Sequence, residues 1–207
     1  RDVAILKDST FSQEPFTYPF FYDMLWSDKK GDQHLALSAH DFNPFNELFN
    51  VSQRLFFSNA RDGKLWTLPY KTGEVKRQFS LQSIRSWVNG SLAGGVSIRL
   101  PEKNGDAEVL SMVTPLSSLM NPSLPPGYGF CIFDEKGEAW FHSETAKNTQ
   151  ENFIDEADKD DKIIAAIRGR MAISFESSYH NEKHQMYVQP INNIPLYIVV
   201  YHNLSYY

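Results

Sequence analysis

Cysteine is almost missing from this chain of 207 residues: Cys131 stands alone. One thiol excludes an intrachain disulfide framework. Its place inside the apolar run "GFCIFD" marks a small buried core residue rather than a reactive group. Basic blocks are missing too. The formal net charge is −5 and the pI about 5.7, so the electrostatic footprint of nucleic-acid binding is lacking. No apolar run is long. "PLYIVVY", Pro195 to Tyr201, is far too short to cross a bilayer, and no signal peptide opens the sequence. The first residue is Arg1 rather than Met, so a piece excised from a longer protein, without its targeting and membrane segments, is expected. Gly-x-Ser-x-Gly elbows, phosphate loops and dinucleotide fingerprints are also lacking.

What is present is enough for a packed core: 42% apolar residues, of which the aromatics make up 14% of the chain. There is also an internal repeat. "MLWSDKKGDQHLALS", Met24 to Ser38, has the form of "CIFDEKGEAWFHS", Cys131 to Ser143: two apolar strands around a polar turn. Asp28 to Gly31 and Asp134 to Gly137 lie 106 residues apart. In each, the Asp carboxylate can accept a local backbone N–H, and the Gly can take positive φ at little cost. Further along, "SWVNG" (Ser86 to Gly90) pairs with "SYHNE" (Ser178 to Glu182). "VSIRLP", ending at Pro101, pairs with "QMYVQP", ending at Pro190, and "AEVLSMV" from Ala107 pairs with "LYIVVY" from Leu196. The order is the same twice: hairpin, helical middle, three strands. The sequence therefore predicts an α+β fold of two tandem modules, 1–121 and 122–207. Each is an antiparallel sheet with flanking helices. Pro122, Pro125 and Pro126 stiffen the connector "LSSLMNPSLPPGYG".

The helical middles carry their own signals. Asn43-Pro44 has the form of an N-cap with Pro at the first helical position. Phe45, Leu48, Phe49, Ser52, Leu55 and Phe56 follow at helical spacing, and Gly63 is a stop. In the second module Asp158 is the expected cap of a helix that turns Ile163, Ile164 and Ile167 inward and ends at Gly169. Asp158, Asp160 and Asp161 sit in its first turn, where the helix dipole favours anions. They lack the alternating ligands and central Gly of an EF-hand loop, so calcium is not expected.

Catalysis finds no constellation. "HNEKH" sets His180 and His184 four apart in a predicted hairpin tip, not on a helix, and no Glu directly follows the first His as in zinc proteases. Asp134 is explained by the turn. His142 is expected to pack or hydrogen-bond at a strand end. No nucleophile–base–orienter set can be assembled, and no cofactor or metal is expected. Binding is better supported. The first module concentrates Tyr22, Trp26, Phe56, Phe57, Trp66, Tyr70 and Trp87 around Arg54 and Arg85. Aromatics with a few polar groups suit a small-molecule pocket. Arg85 and Trp87 alternate on one strand and so share a face. A guanidinium there would fork onto a carboxylate. The expected ligand contacts are Arg54, Phe57, Trp66, Tyr70, Arg85 and Trp87, weighed against the plain alternative that the aromatics are core and the arginines surface.

With "GYGFCIFDEKGEAWFHS" opening the second module, the whole resembles a double Cache sensor domain, a pair of PAS-like modules. The family's second module opens with Gly-aromatic, an apolar strand, Asp-x-x-Gly and a strand ending in His; these match Gly127-Tyr128, the strand to Phe133, Asp134 to Gly137, and His142. "QRLFF", Gln53 to Phe57, resembles the Arg-then-aromatics that ends the first module's helix. Two features depart from the family. The long N-terminal helix is reduced to "RDVAILK" at most. The Asp common in the last strand of amino-acid-binding first modules is missing, since "EVLSMVTPL" has no carboxylate after Glu108. The resemblance implies the extracytoplasmic, periplasmic part of a bacterial inner-membrane receptor such as a histidine kinase or chemoreceptor. The membrane-distal first module would bind a small organic ligand, possibly a carboxylate, and the membrane-proximal second would pass the signal on. The parent protein would be membrane-anchored and dimeric, and this fragment monomeric. A non-signalling solute- or glycan-binding module is the alternative, with a hydrolase behind it.

Overall fold

The computed structural model describes residues 21–38, 48–69, 74–87, 90–101, 106–120 and 122–206. The chain divides into two compact units, Arg1–Leu116 and Ser117–Tyr207, here module one and module two. Module one contains β1 (Asp23–Ser27), β2 (Gln33–Ser38), α1 (Leu55–Arg61), β3 (Trp66–Thr67), β4 (Gln78–Arg85), β5 (Leu92–Arg99) and β6 (Val109–Thr114). Module two contains α2 (Ser117–Met120), β7 (Tyr128–Asp134), β8 (Ala139–His142), α3 (Phe153–Glu156), α4 (Asp161–Gly169), β9 (Ile173–Tyr179), β10 (Glu182–Pro190) and β11 (Leu196–Asn203). The sheets run β2-β1-β6-β5-β4-β3 and β8-β7-β11-β10-β9, and every pairing is antiparallel. Apart from the two-residue edge strand β3, the order is the same. This is the tandem α+β arrangement that the repeated sequence predicts.

The repeat holds down to single hydrogen bonds. Asp28 Oδ1 accepts from the N–H groups of Lys30 (2.8 Å) and Asp32 (3.0 Å). Asp134 Oδ1 accepts from Lys136 (2.9 Å) and Glu138 (3.1 Å). Burial works to raise the Asp28 pKa, but the N–H groups of Asp32 and Lys30 outweigh it and hold the carboxyl below its ordinary value. Gly31 and Gly137 close the two turns at φ 85 and 88. Each turn is then gripped by an asparagine further along the chain. Asn50 Nδ2 donates to the Lys30 carbonyl at 3.2 Å, and Asn152 Nδ2 to the Lys136 carbonyl at 2.9 Å. The next residues, Val51 and Phe153, donate their N–H to the Gly31 and Gly137 carbonyls.

This grip corrects two helix expectations. Asn43-Pro44 and Phe45 lie outside the described residues. Leu48 to Ser52 are not helical, because backbone groups within the segment go elsewhere: Phe49 N–H donates to Gln33 Oε1, Val51 N–H to Gly31, and Ser52 N–H to the Asn50 side chain. The helix is only Leu55–Arg61, with Gly63 at φ 73 beyond its end. In module two the cap of α4 is Asp160, whose carboxylate accepts from Lys162 N–H, while Asp158 sits at φ 53 before it. The left-handed residue after α4 is Arg170 rather than Gly169. A short helix, α3, capped by Asn152, precedes it. His184, expected at an exposed tip, lies inside β10 and is buried, because β10 begins directly after the two-residue turn.

The strand registers align the two cores residue by residue. Ser27 faces Val109 as Phe133 faces Tyr197. Gly95 faces Val113 as Met186 faces Tyr201, and Ser80 faces Ser97 as Ile173 faces Val188. On the helix-facing side, module one carries small residues where module two carries large ones. Bulk in module one comes from the helix: Phe56 and Phe57 are buried with Ala60 against Ala93, Val109 and Val113. A Cβ on Gly95 would lie 2.9 Å from the Phe56 ring. Ser80 Oγ donates to the Phe56 carbonyl (2.8 Å), and Ser97 and Ser111 bond each other (2.8 Å). In module two most of the bulk comes from the sheet: Phe133, Phe175, Met186, Tyr197 and Tyr201 pack around one helix aromatic, Phe153, and against Ala157, Ile163 and Ala166.

Candidate functional site

In module one the structure brings together Arg54, Arg85 and Trp87. Arg54 directly precedes α1, in extended backbone conformation and with no side-chain cap of its own. It is placed there because Arg54 N–H donates to Val51, the residue held by the turn, while its carbonyl starts the helix by accepting from Phe57 and Ser58. Its guanidinium reaches β4 and donates through Nη2 to the Arg85 carbonyl at 2.9 Å. The guanidinium carbon lies 4.5 Å from the Trp87 ring centroid and 5.4 Å from that of Phe56. Phe49 meets Trp87 edge-on at 6.4 Å. Trp87 is 55% exposed, and the Arg85 side chain is exposed as well. Among the described residues no carboxylate pairs with Arg54. Burial lowers its pKa, yet a guanidinium stays protonated at any physiological pH. The result is a half-buried cation stacked on an open indole, with donors left over for a planar anion.

The other expected contacts fall elsewhere. Phe57 is fully buried in the core, beneath the Arg61 guanidinium at 5.6 Å. Trp66 lies on β3, edge-on to Phe79 at 5.8 Å. Tyr70 lies outside the described residues. Phe56, not Phe57, is the α1 aromatic at the arginine, and Phe49, ahead of the helix, meets Trp87.

Module two holds a polar cluster that no sequence spacing announces. His142, at the end of β8, is 1% exposed. Its Nδ1 accepts from Glu144 N–H at 2.8 Å, which leaves the proton on Nε2, 3.0 Å from Tyr179 Oη and 3.1 Å from Tyr201 Oη. Tyr179 donates to Glu151 Oε1 at 2.7 Å and accepts from Lys147 Nζ at 3.2 Å. Asn148 Oδ1 accepts the His142 N–H at 2.7 Å. Burial, followed by the nearby Lys147 charge, lowers the His142 pKa to about 4. Burial likewise pushes the Tyr179 and Tyr201 phenols well up and raises the Cys131 thiol, which makes it a poor nucleophile. Among the described residues no group of three His, Cys, Asp or Glu side chains is placed to hold a metal. The cluster is satisfied internally and fixes the inside of the sheet. Gly129 is part of it, because a Cβ there would fall 2.3 Å from the Tyr201 ring. The expected role of His142, hydrogen-bonded at a strand end, is what is seen.

No family model and no curated protein sequence matches this chain. Solved structures do. The ligand-binding domain of the Pseudomonas aeruginosa PAO1 amino acid chemoreceptor PctB, in complex with L-Gln, superposes with a TM-score of 0.62 at 11% identity. The match covers 93% of this chain and 72% of that one. The ligand-binding domain of the Pseudomonas fluorescens chemoreceptor CtaA, with L-isoleucine, gives 0.61 at 14% identity over 89% and 70% of the two chains. The extracellular domain of rpHK1S-Z16, described as a histidine kinase, gives 0.59 at 14% over 90% and 72%. The chain shares the fold of these ligand-binding and extracellular domains. The expected double Cache likeness therefore holds as a likeness of fold. Within this fold, Arg54 lies in the first module and the His142 cluster in the second.

Proposed function

We propose that this chain is the extracytoplasmic ligand-sensing domain of a bacterial transmembrane signalling receptor, with module one binding a small organic carboxylate at Arg54. The observation that carries the reading is the half-buried Arg54 guanidinium, stacked on exposed Trp87, with no carboxylate partner among the described residues. The fold it shares with chemoreceptor and kinase sensor domains supports the sensing role. PctB and CtaA are in complex with amino acids. In this chain β6, Val109–Thr114, carries no carboxylate to receive an α-ammonium, which favours an organic acid without an amino group. The membrane-distal 1–121 region would bind and the membrane-proximal 122–207 region would relay, the bound shape biasing an effector beyond the membrane. Among the described residues no helix is long and apolar enough to cross a membrane. The parent receptor would be dimeric and the isolated fragment monomeric.

The test is a thermal-shift panel of small carboxylates, their neutral amides and α-amino acids, followed by calorimetry on hits. Arg54→Ala should weaken binding about 30-fold or more, the cost of an unpaired ligand carboxylate, with the melting point of the free protein little changed. A hit that binds Arg54→Ala as tightly as wild type, or an amide that binds as well as its acid, removes Arg54 from the site.

A further inference from the structure

Module two carries a histidine whose two ring nitrogens both face carboxylates. His180 sits at the β9–β10 turn, at φ 50, ahead of Asn181 at φ 64. Its Nε2 lies 3.1 Å from Glu151 Oε2 and its Nδ1 3.0 Å from Glu156 Oε2. A neutral imidazole has one N–H and one lone pair, so it would set a lone pair against an anionic oxygen at one of the two contacts. Only the imidazolium donates at both.

The surroundings leave this charge to His180. The Glu151 side chain is 5% exposed, and its other oxygen is taken by the Tyr179 hydroxyl. Glu156, on α3, is 45% exposed, and its carbonyl accepts the His180 N–H at 3.1 Å. Lys147 is 3.9 Å from Glu151 but 2.7 Å from Glu144, so that pair is internally balanced. His142, 3.8 Å from Glu151, is kept neutral by burial until about pH 4. The two carboxylates that grip His180 are thus left with one mobile proton on the ring between them, and that ring is 39% exposed to solvent.

We propose that Glu151, His180 and Glu156 form an acid-closed clasp that ties the β9–β10 turn to α3 and opens as pH rises and the imidazolium gives up its second proton. Closure needs an N–H on both ring nitrogens and both carboxylates ionised, which is the geometry seen. The clasp gives module two a response to proton activity that does not depend on anything bound at Arg54.

The experiment is NMR on the whole 15N-labelled chain at pH 6 and pH 8. The His180 ring nitrogens should both be protonated at pH 6. Exchange of the His180 amide, corrected for its intrinsic rate, should be about fivefold faster at pH 8, the scale of a half-exposed ion pair. Glu156→Gln supplies an amide donor to Nδ1 of a neutral ring, so in that variant the turn should stay closed at pH 8 and the pH dependence vanish. His180→Ala should exchange fast at both pH values. A singly protonated His180 ring at pH 6, protection that ignores pH in wild type, or pH dependence that survives in Glu156→Gln would each overturn the clasp.

Discussion

The two modules share a strand order and a turn, and they fill their cores from opposite sides. In module one the helix brings Phe56 and Phe57, and the sheet answers with Ser80, Gly95, Ser97 and Ser111. In module two the sheet brings most of the bulk, Phe133, Met186, Tyr197 and Tyr201, and the helices answer with one aromatic, Phe153, and with Ala157, Ile163 and Ala166. Close packing demands only that the volumes sum, not which partner supplies them. The difference has a chemical consequence. A sheet of aromatics that carry hydroxyls needs hydrogen-bond partners inside, and the His142–Tyr179–Tyr201–Glu151 cluster meets that need. Of the buried serines in the module-one sheet, Ser97 and Ser111 bond each other and Ser80 bonds the Phe56 carbonyl, while the hydroxyls of Ser27 and Ser83 have no partner among the described residues.

The contrast is most directly broken by exchange. Tyr197→Val puts the module-one residue into module two. It removes a fully buried ring stacked on Phe133 and the hydroxyl that donates to the Ile167 carbonyl. The expected loss is about 3–5 kcal/mol by urea unfolding. A loss under about 1 kcal/mol would mean that the helices of module two collapse onto the sheet as α1 does. Acid comes next. The His142 pKa falls from 6.5 unfolded to about 4 folded, so between these values the unfolded chain binds the extra proton and stability drops as pH falls. The loss across the window is on the order of 3 kcal/mol. It should appear as loss of exchange protection in β7–β11 and shrink in His142→Gln. Module one should be spared this term, since His34, its described histidine, is exposed. The smallest effect tests the shared turn. Asn152→Ala removes both the grip on Lys136 and the cap of α3, and should cost about 1 kcal/mol by thermal melting. Asn50→Ala should cost less, because no helix starts at Val51. Equal costs would show that the grip, not the cap, carries the asparagine's contribution.

What was legible in the sequence was local. An Asp-to-Gly turn declares itself within four residues, and strands declare themselves by composition and boundary, so both hairpins and the repeated strand order could be read. The limits of α1 could not. The spacing of Leu48, Phe49 and Ser52 is helical, but the hairpin claims the backbone groups of Phe49 and Val51 from 16 and 20 residues away. Asn50-Val51 and Asn152-Phe153, nearly the same offset apart as the two turns, are the part of the repeat that carries the grip. The choice of Asp158 over Asp160 failed because three aspartates compete for one cap and only backbone geometry decides. The cluster around Arg54 was half legible. Arg54 and Trp87 meet, but which of Phe56 and Phe57 turns toward them depends on helix phase. The module-two cluster joins positions 142, 151, 179 and 201, and no pattern at fixed spacing reaches across them.

In both sheets the strand that comes last in the chain lies in the interior: β6 between β1 and β5, β11 between β7 and β10. During synthesis the hairpin and the earlier strands therefore exist as two open-edged halves that cannot join until the final strand of the module emerges. β11 alone supplies seven paired positions to each neighbour. Completion of each module is a late, long-range closure, and until then its nascent halves expose strand edges that need shielding from other chains.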